Sequence, residues 1–124
     1  MRNALRKHHI SFKNALAGII WAFKTQPNFR VHVVLSFIAF GFAILFKITT
    51  VETAIVVFTI ILGLTAEMIN TSLETMTDLI TQEWRPEAKI AKDVAAGMML
   101  VAAIGAVVIA LVIFTPYIIV ALGA

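Results

Sequence analysis

The 124-residue chain contains no cysteine, which removes disulfide frameworks, thiolate nucleophiles and cysteine-ligated zinc from consideration. Neither Gly-x-x-x-x-Gly-Lys nor Gly-x-Gly-x-x-Gly occurs, so neither of the familiar glycine-rich, phosphate-cradling loops is available to a nucleotide. Charge is scarce. Only 14% of the residues are charged and 60% are hydrophobic, with a mean hydropathy of +0.96, whereas soluble domains carry about 25% charged residues. These values exclude an ordinary soluble domain and leave a single small membrane domain, residues 1–124. Acid is absent from residues 1–51, which hold seven bases (Arg2, Arg6, Lys7, Lys13, Lys24, Arg30 and Lys47), while the remainder holds three bases and seven acids. Anionic lipid and the positive charge of cytoplasmic loops account for such a segment beside apolar helices. No nucleic-acid partner is expected, despite an isoelectric point near 9.6. The basic start is not followed by a compact apolar run with a small-residue cleavage site, and it reads as mature sequence.

Along the chain, residues 3–24 predict an amphipathic helix, with Phe12, Leu16, Ile19, Ile20 and Phe23 recurring at helical spacings and Lys13 and Asn14 opposite. The segment is too mixed to span a bilayer and suits the interface, with Trp21 at headgroup depth. Pro27 breaks it. Residues 29–47 predict a first span, apolar except for His32 and Ser36, short enough that Arg30 and Lys47 would snorkel at its two ends. His32 reads as an interfacial side chain, and His8 and His9 as tail. A polar link from Lys47 to Glu52 leads to a second span over 53–80. Pro86 followed by Glu87 starts a third helix over 86–114, with Thr115-Pro116 as its far end. With the amino terminus and the second connection on one side, that side holds nine Lys/Arg and the other only Lys47. The first is therefore expected to be cytoplasmic. The fold class is an all-α membrane protein of three spans plus an interfacial helix.

The unusual stretch lies at the end of the second span. At about 100° per helical residue, Asn70, Glu74 and Asp78 stand about −60°, −20° and +20° from Glu67, so one side of one helix carries all four, widened by Thr71 and Thr77. A row of ionisable groups in an apolar helix is by default functional, because each costs about 2.5–3.5 kcal/mol on insertion scales. The plainer alternative is a helix leaving the membrane at Glu67. Glu67 and Glu74 are about 10.5 Å apart along the axis, too far to chelate one ion together. Glu74 or Asp78, nearer water, suits a hard cation such as Mg²⁺ that also takes substrate phosphates. Glu67, deeper, can meet a lipid alcohol and remove its proton. Asn70 can orient either. Topology gathers Lys24, Arg30, Lys89, Lys92 and Asp93 on the same side, and Lys92 and Arg30 can hold phosphate oxygens. This outlines phosphoryl transfer from a nucleotide to a membrane alcohol. A proton- or cation-coupled transporter using Glu67 as its coupling carboxylate, or a regulatory subunit, would also carry an intramembrane acid.

Glu67-x-x-Asn70-Thr71-x-x-Glu74-x-x-x-Asp78, followed by Ala88-Lys89-Ile90-Ala91-Lys92-Asp93-Val94-Ala95-Ala96-Gly97 and preceded by Asn28-Phe29-Arg30-Val31-His32, resembles the small prokaryotic diacylglycerol kinase family, which includes undecaprenol kinases. The resemblance covers nearly the whole chain. It implies a homotrimer of three-span subunits with an amphipathic amino-terminal helix, which transfers the γ-phosphate of MgATP to a lipid hydroxyl. By matching position it implies that Glu67 is the catalytic base, Asn70 a residue of the same site, Glu74 a metal ligand, and Asp78, Lys92 and Asp93 nucleotide-site residues; Arg30 and Lys24, gathered on the same side, are further nucleotide-binding candidates. One position departs from the pattern. Where the family often carries a second metal-binding glutamate, before the Asn-Phe-Arg run, this chain has Gln26.

Overall fold

A computed structural model describes the backbone of residues 2–123 and the side chains of residues 11–123; the reading of His8 and His9 as tail side chains lies outside the described residues. Four helices follow one another: α1 (Arg2–Thr25), α2 (Pro27–Leu45), α3 (Thr50–Ile80) and α4 (Pro86–Ala121). The last three are long and apolar enough to cross a membrane. Their large side chains face outward in numbers that water would not tolerate, Phe37, Leu79 and Val101 among them, as expected where lipid is the solvent.

The elements begin and end for local reasons. Between α1 and α2 the break is one residue, because Gln26 is extended and Pro27 occupies the first helical position, where its missing N–H would be unpaired anyway. The helix consequently starts two residues before the expected position 29. It also closes two residues before the expected 47. Lys47 N–H donates to Ile44 O at 3.2 Å and Ile48 N–H to Ala43 O at 3.2 Å, the 5→2 and 6→1 bonds of a Schellman motif. Lys47 takes a positive φ of 51°, a left-handed conformation costing a non-glycine residue about 1–2 kcal/mol. Burial of Ile48 against Ala43 in the core accompanies it.

Helix α3 begins at Thr50 rather than 53, since Thr49 and Glu52 form a capping box: Glu52 N–H donates to Thr49 Oγ1 at 3.3 Å and Thr49 N–H to Glu52 Oε2 at 2.8 Å. What read as a polar link is therefore a helix start. Helix α4 starts at Pro86 as expected but does not end at Thr115-Pro116; it continues to Ala121 with Pro116 inside it. Proline deprives Val112 O of its donor and normally breaks or kinks a helix. Here the last turns are held from outside. Tyr117 Oη donates to Glu52 Oε2 at 2.7 Å, and Phe114 and Tyr117 pack with Phe46, with ring centroids 6.4 and 6.1 Å apart.

Helices α4 and α2 both pack on α3, and α1 touches the start of α2. The core sits at the end of the bundle where α2 turns into α3, around Ala43, Ile48, Val56, Ile113 and Phe114. Towards the other end the buried apolar residues are mostly small: Ala22, Ala66 and Ala95, with Phe29 the exception. Small residues let the polar side of α3 approach its neighbours closely.

Candidate active site

Two side-chain contacts mark the antiparallel register of α3 and α4: Glu52 with Tyr117 at one end and Asp78 with Lys92 at the other. Between these contacts, Glu67 comes to the level of Ala102 and Ala103, and Asn70 and Thr71 to that of Met99 and Leu100. Glu67 is 2% exposed, and Asn70 and Thr71 are buried with it. Farther along the helix Glu74 is half-buried and Asp78 exposed. The row predicted for one side of α3 is thus graded, from dry at Glu67 to wet at Asp78.

The hydrogen bonds along the row divide it. Asn70 Nδ2 donates to Glu74 Oε1 at 3.1 Å, which orients both side chains across one helical turn. Buried Glu67 Oε2 and Asn70 Oδ1 have no protein partner among the described residues. Both are acceptors, so they cannot satisfy one another while Glu67 is ionised. An unmet buried acceptor costs about 1–3 kcal/mol, and native proteins carry such groups chiefly where a ligand meets them. At the exposed end Lys92 Nζ pairs with Asp78 Oδ1 at 2.5 Å, joining α4 to α3. Lys89 pairs with Asp93 one turn apart on α4. Both pairs are open to solvent, where an ion pair contributes about 0–1 kcal/mol and exchanges readily.

The bases of the first half are less tightly gathered. Arg30 Nη1 donates to Lys24 O at 3.2 Å, which ties it to the corner between α1 and α2, and Lys24 lies exposed at the same corner. Gln26 Nε2 reaches Thr25 Oγ1 at 3.4 Å, and no hydrogen bond joins Gln26 to Glu74. Hydrogen bonds link Asn70 to Glu74 and Lys92 to Asp78, and among the described residues none joins this row to Arg30, Lys24 or Gln26 at the α1–α2 corner. No group of three or more His, Asp or Glu residues is close enough to cage a metal among the described residues. Half-buried Glu74 offers one carboxylate to a cation that arrives with phosphate, since Mg²⁺ commonly takes only one or two carboxylates from protein.

The His32 ring lies against α3 at Gly63, where an added Cβ would stand 3.5 Å from Nδ1. Nothing in the sequence couples positions 32 and 63; only the packing of α2 on α3 reveals the contact.

A sequence pattern described as prokaryotic diacylglycerol kinase matches residues 13–114. The chain is 41% identical to a diacylglycerol kinase of Synechocystis over 81% of its own length and 58% of that protein's, so it spans little more than half of this relative. It is 36% identical to the undecaprenol kinase of Bacillus subtilis over 93% of its length and 94% of the relative's. A diacylglycerol kinase of Pseudomonas aeruginosa is 31% identical over 71% of the chain and 72% of that protein. The match takes in α2, α3, most of α4 and the whole graded row on α3, and the chain belongs to the prokaryotic diacylglycerol kinase family.

Proposed function

We propose that the chain is a lipid kinase that transfers the γ-phosphate of MgATP to the hydroxyl of a membrane lipid alcohol, undecaprenol or diacylglycerol, at the cytoplasmic face of a bacterial inner membrane. The observation that carries this reading is the buried Glu67 carboxylate, with one oxygen unpartnered, at the dry end of a row that reaches exposed ion pairs. A base belongs where water is excluded, because a preorganised dry site strengthens its interaction with an approaching hydroxyl. In the step, Glu67 accepts the proton of the lipid hydroxyl, whose oxygen bonds to the γ-phosphorus as the bond to the β,γ-bridging oxygen breaks. ADP leaves, and the proton passes from Glu67 to solvent. Asn70 orients the carboxylates through its bond to Glu74.

Glu74 is the group that would hold Mg²⁺, with Gln26 at the α1–α2 corner a further candidate ligand. The metal would neutralise phosphate charge. Lys92, Asp78 and Asp93 form the nucleotide side, joined by Arg30 and Lys24, exchanging weak mutual pairs for phosphate oxygens. Three slender helices do not enclose both a nucleotide and a lipid head. A neighbouring subunit would complete the site in a homotrimer, with α1 lying in the interface. The kinase names of the relatives support phosphoryl transfer, and nothing in the site favours a transporter.

The test is radiolabelled ATP with purified protein and a panel of lipid alcohols. Labelled phospholipid product is expected and identifies the preferred alcohol. ATP-independent cation flux with no labelled lipid would replace the kinase with the transporter.

A further inference from the structure

Between α2 and α4, floored by α3, runs an apolar crevice of about 450 Å³, within the roughly 300–1,000 Å³ typical of small-molecule sites. It extends from His32 at the end nearer Glu67 to Phe42 and Phe114, about 15 Å along α2. Four of its lining residues carry polar side chains: His32, Ser36, Thr59 and, at the end away from Glu67, Thr115. Two of them are already satisfied, since Ser36 Oγ donates to His32 O at 2.7 Å and Thr59 Oγ1 to Ile55 O at 2.8 Å. The His32 ring makes no hydrogen bond among the described residues. Its Nδ1 faces Gly63, which precedes Glu67 by four residues on the same side of α3, about 6 Å deeper along the axis. An apolar channel thus opens beside a buried carboxylate, with one free imidazole at the junction.

We propose that this crevice takes the hydrocarbon chain of the lipid alcohol and that His32 binds the hydroxyl at its mouth, setting which alcohols are accepted. The proposal rests on the kinase reading above and names where the acceptor lies. A hydroxyl oxygen between the levels of Gly63 and Glu67 is within reach of both side chains. The imidazole donates an N–H to the oxygen while the hydroxyl hydrogen points to Glu67, and the second lone pair is left to attack phosphorus. An alcohol with no other polar group is held by these two bonds alone, so His32 matters most for such a substrate. A chain seated between His32 and Phe42 ends about one helical turn from the buried carboxylate that the kinase reading makes the base.

Two variants and one probe test the proposal. His32→Leu is expected to raise the lipid-alcohol KM about tenfold, the effect of one lost hydrogen bond, with the KM for ATP unchanged. His32→Gln, which restores a donor, should recover most of the loss. A long-chain primary alcohol carrying a mid-chain diazirine, photolysed with wild-type protein in micelles without ATP, should label the crevice at the level of Ala103 and Ala106. Ala106→Phe, which fills the crevice, should remove that label. An unchanged lipid KM in His32→Leu, a parallel change in ATP KM, or label outside the crevice overturns the proposal. So does disulfide linkage between two copies through a cysteine at Ala106, with no lipid label, because the crevice is then an interface between chains. If the wild type phosphorylates no alcohol, the kinase reading fails on its own, and the photolabel still decides whether the crevice holds a chain.

Discussion

Replacing Glu67 by glutamine should make the protein more stable and nearly inactive at once. The side chain is fully buried, its Oε2 lacks a partner, and so does the Oδ1 of Asn70 three residues on. Residues three apart on a helix are neighbours, but two acceptors cannot bond. Glutamine keeps the volume and supplies an N–H₂ group. Donation from that group to Asn70 Oδ1 would satisfy one orphan oxygen, and relief of one such group is worth about 1–3 kcal/mol. The equilibrium towards the folded state should therefore rise by a factor of about 5 to 150. Turnover should fall by about 10²–10⁴, the usual contribution of a general base. Both quantities can be read from one preparation: the midpoint of unfolding in a denaturing-detergent titration, at fixed protein concentration because an oligomer's stability depends on it, and phosphate transfer at saturating ATP and lipid. A variant that loses activity and stability together would make Glu67 a structural residue. One with normal turnover would remove it from the chemistry altogether.

Four further outcomes follow from particular contacts. Lys92→Met should leave stability within about 1 kcal/mol, since its partner Asp78 is a surface acid, while raising the KM for ATP; an unchanged KM would place the nucleotide elsewhere. Gln26→Glu should lower the Mg²⁺ concentration for half-maximal activity, an effect that fades once the metal saturates, and an unchanged Mg²⁺ dependence would mean that the α1–α2 corner never meets the metal. Tyr117→Phe removes the bond to Glu52 and should lower the unfolding midpoint while sparing turnover, because that bond is at the opposite end of α3 from the carboxylate row; a large loss of turnover would mean that the far end governs the site. A cysteine at Thr50 should react with an impermeant reagent from outside the cell and one at Gln82 only from inside, and the reverse pattern would move the site out of the cytoplasm.

The parts of the fold that sequence reveals are those set by neighbours along the chain. Pro27 and Pro86 mark helix starts through their own chemistry, and the spacing of Glu67, Asn70, Glu74 and Asp78 places them on one side of α3 without reference to anything else. Thr49-x-x-Glu52 is also a local signal, a capping box concealed by the polarity of its surroundings. Other features depend on contact between segments. Pro116 would end an isolated helix, and α4 passes it because Tyr117 and Phe114 are held by Glu52 and Phe46, residues some 65 to 71 positions away. The contact of His32 with Gly63 likewise exists only once α2 is laid on α3. The direction in which Arg30 points, back to the Lys24 carbonyl, is fixed by a one-residue corner whose geometry periodicity does not encode.

Depth along α3 also explains why one helix can serve chemically opposed ends of the proposed reaction. Each turn advances a side chain by about 5.4 Å, and over three turns the row passes from Glu67, sealed from solvent, through half-buried Glu74 to exposed Asp78. Dielectric therefore changes with sequence position. A proton acceptor gains from the dry end, where its bond to a hydroxyl is not diluted by water; a phosphate-binding pair gains from the wet end, where Lys92 can leave Asp78 at little cost. The contacts Glu52–Tyr117 and Asp78–Lys92 mark the register of α3 on α4, and a one-residue insertion in α3 between Asn70 and Glu74 would break this correspondence even though every side chain survived. It would turn Glu74 and Asp78 by about 100° relative to Glu67, take Glu74 out of reach of Asn70 and separate base from metal ligand. Such a variant should retain its helical content and lose transfer, and preserved transfer would show that the row does not act as one surface.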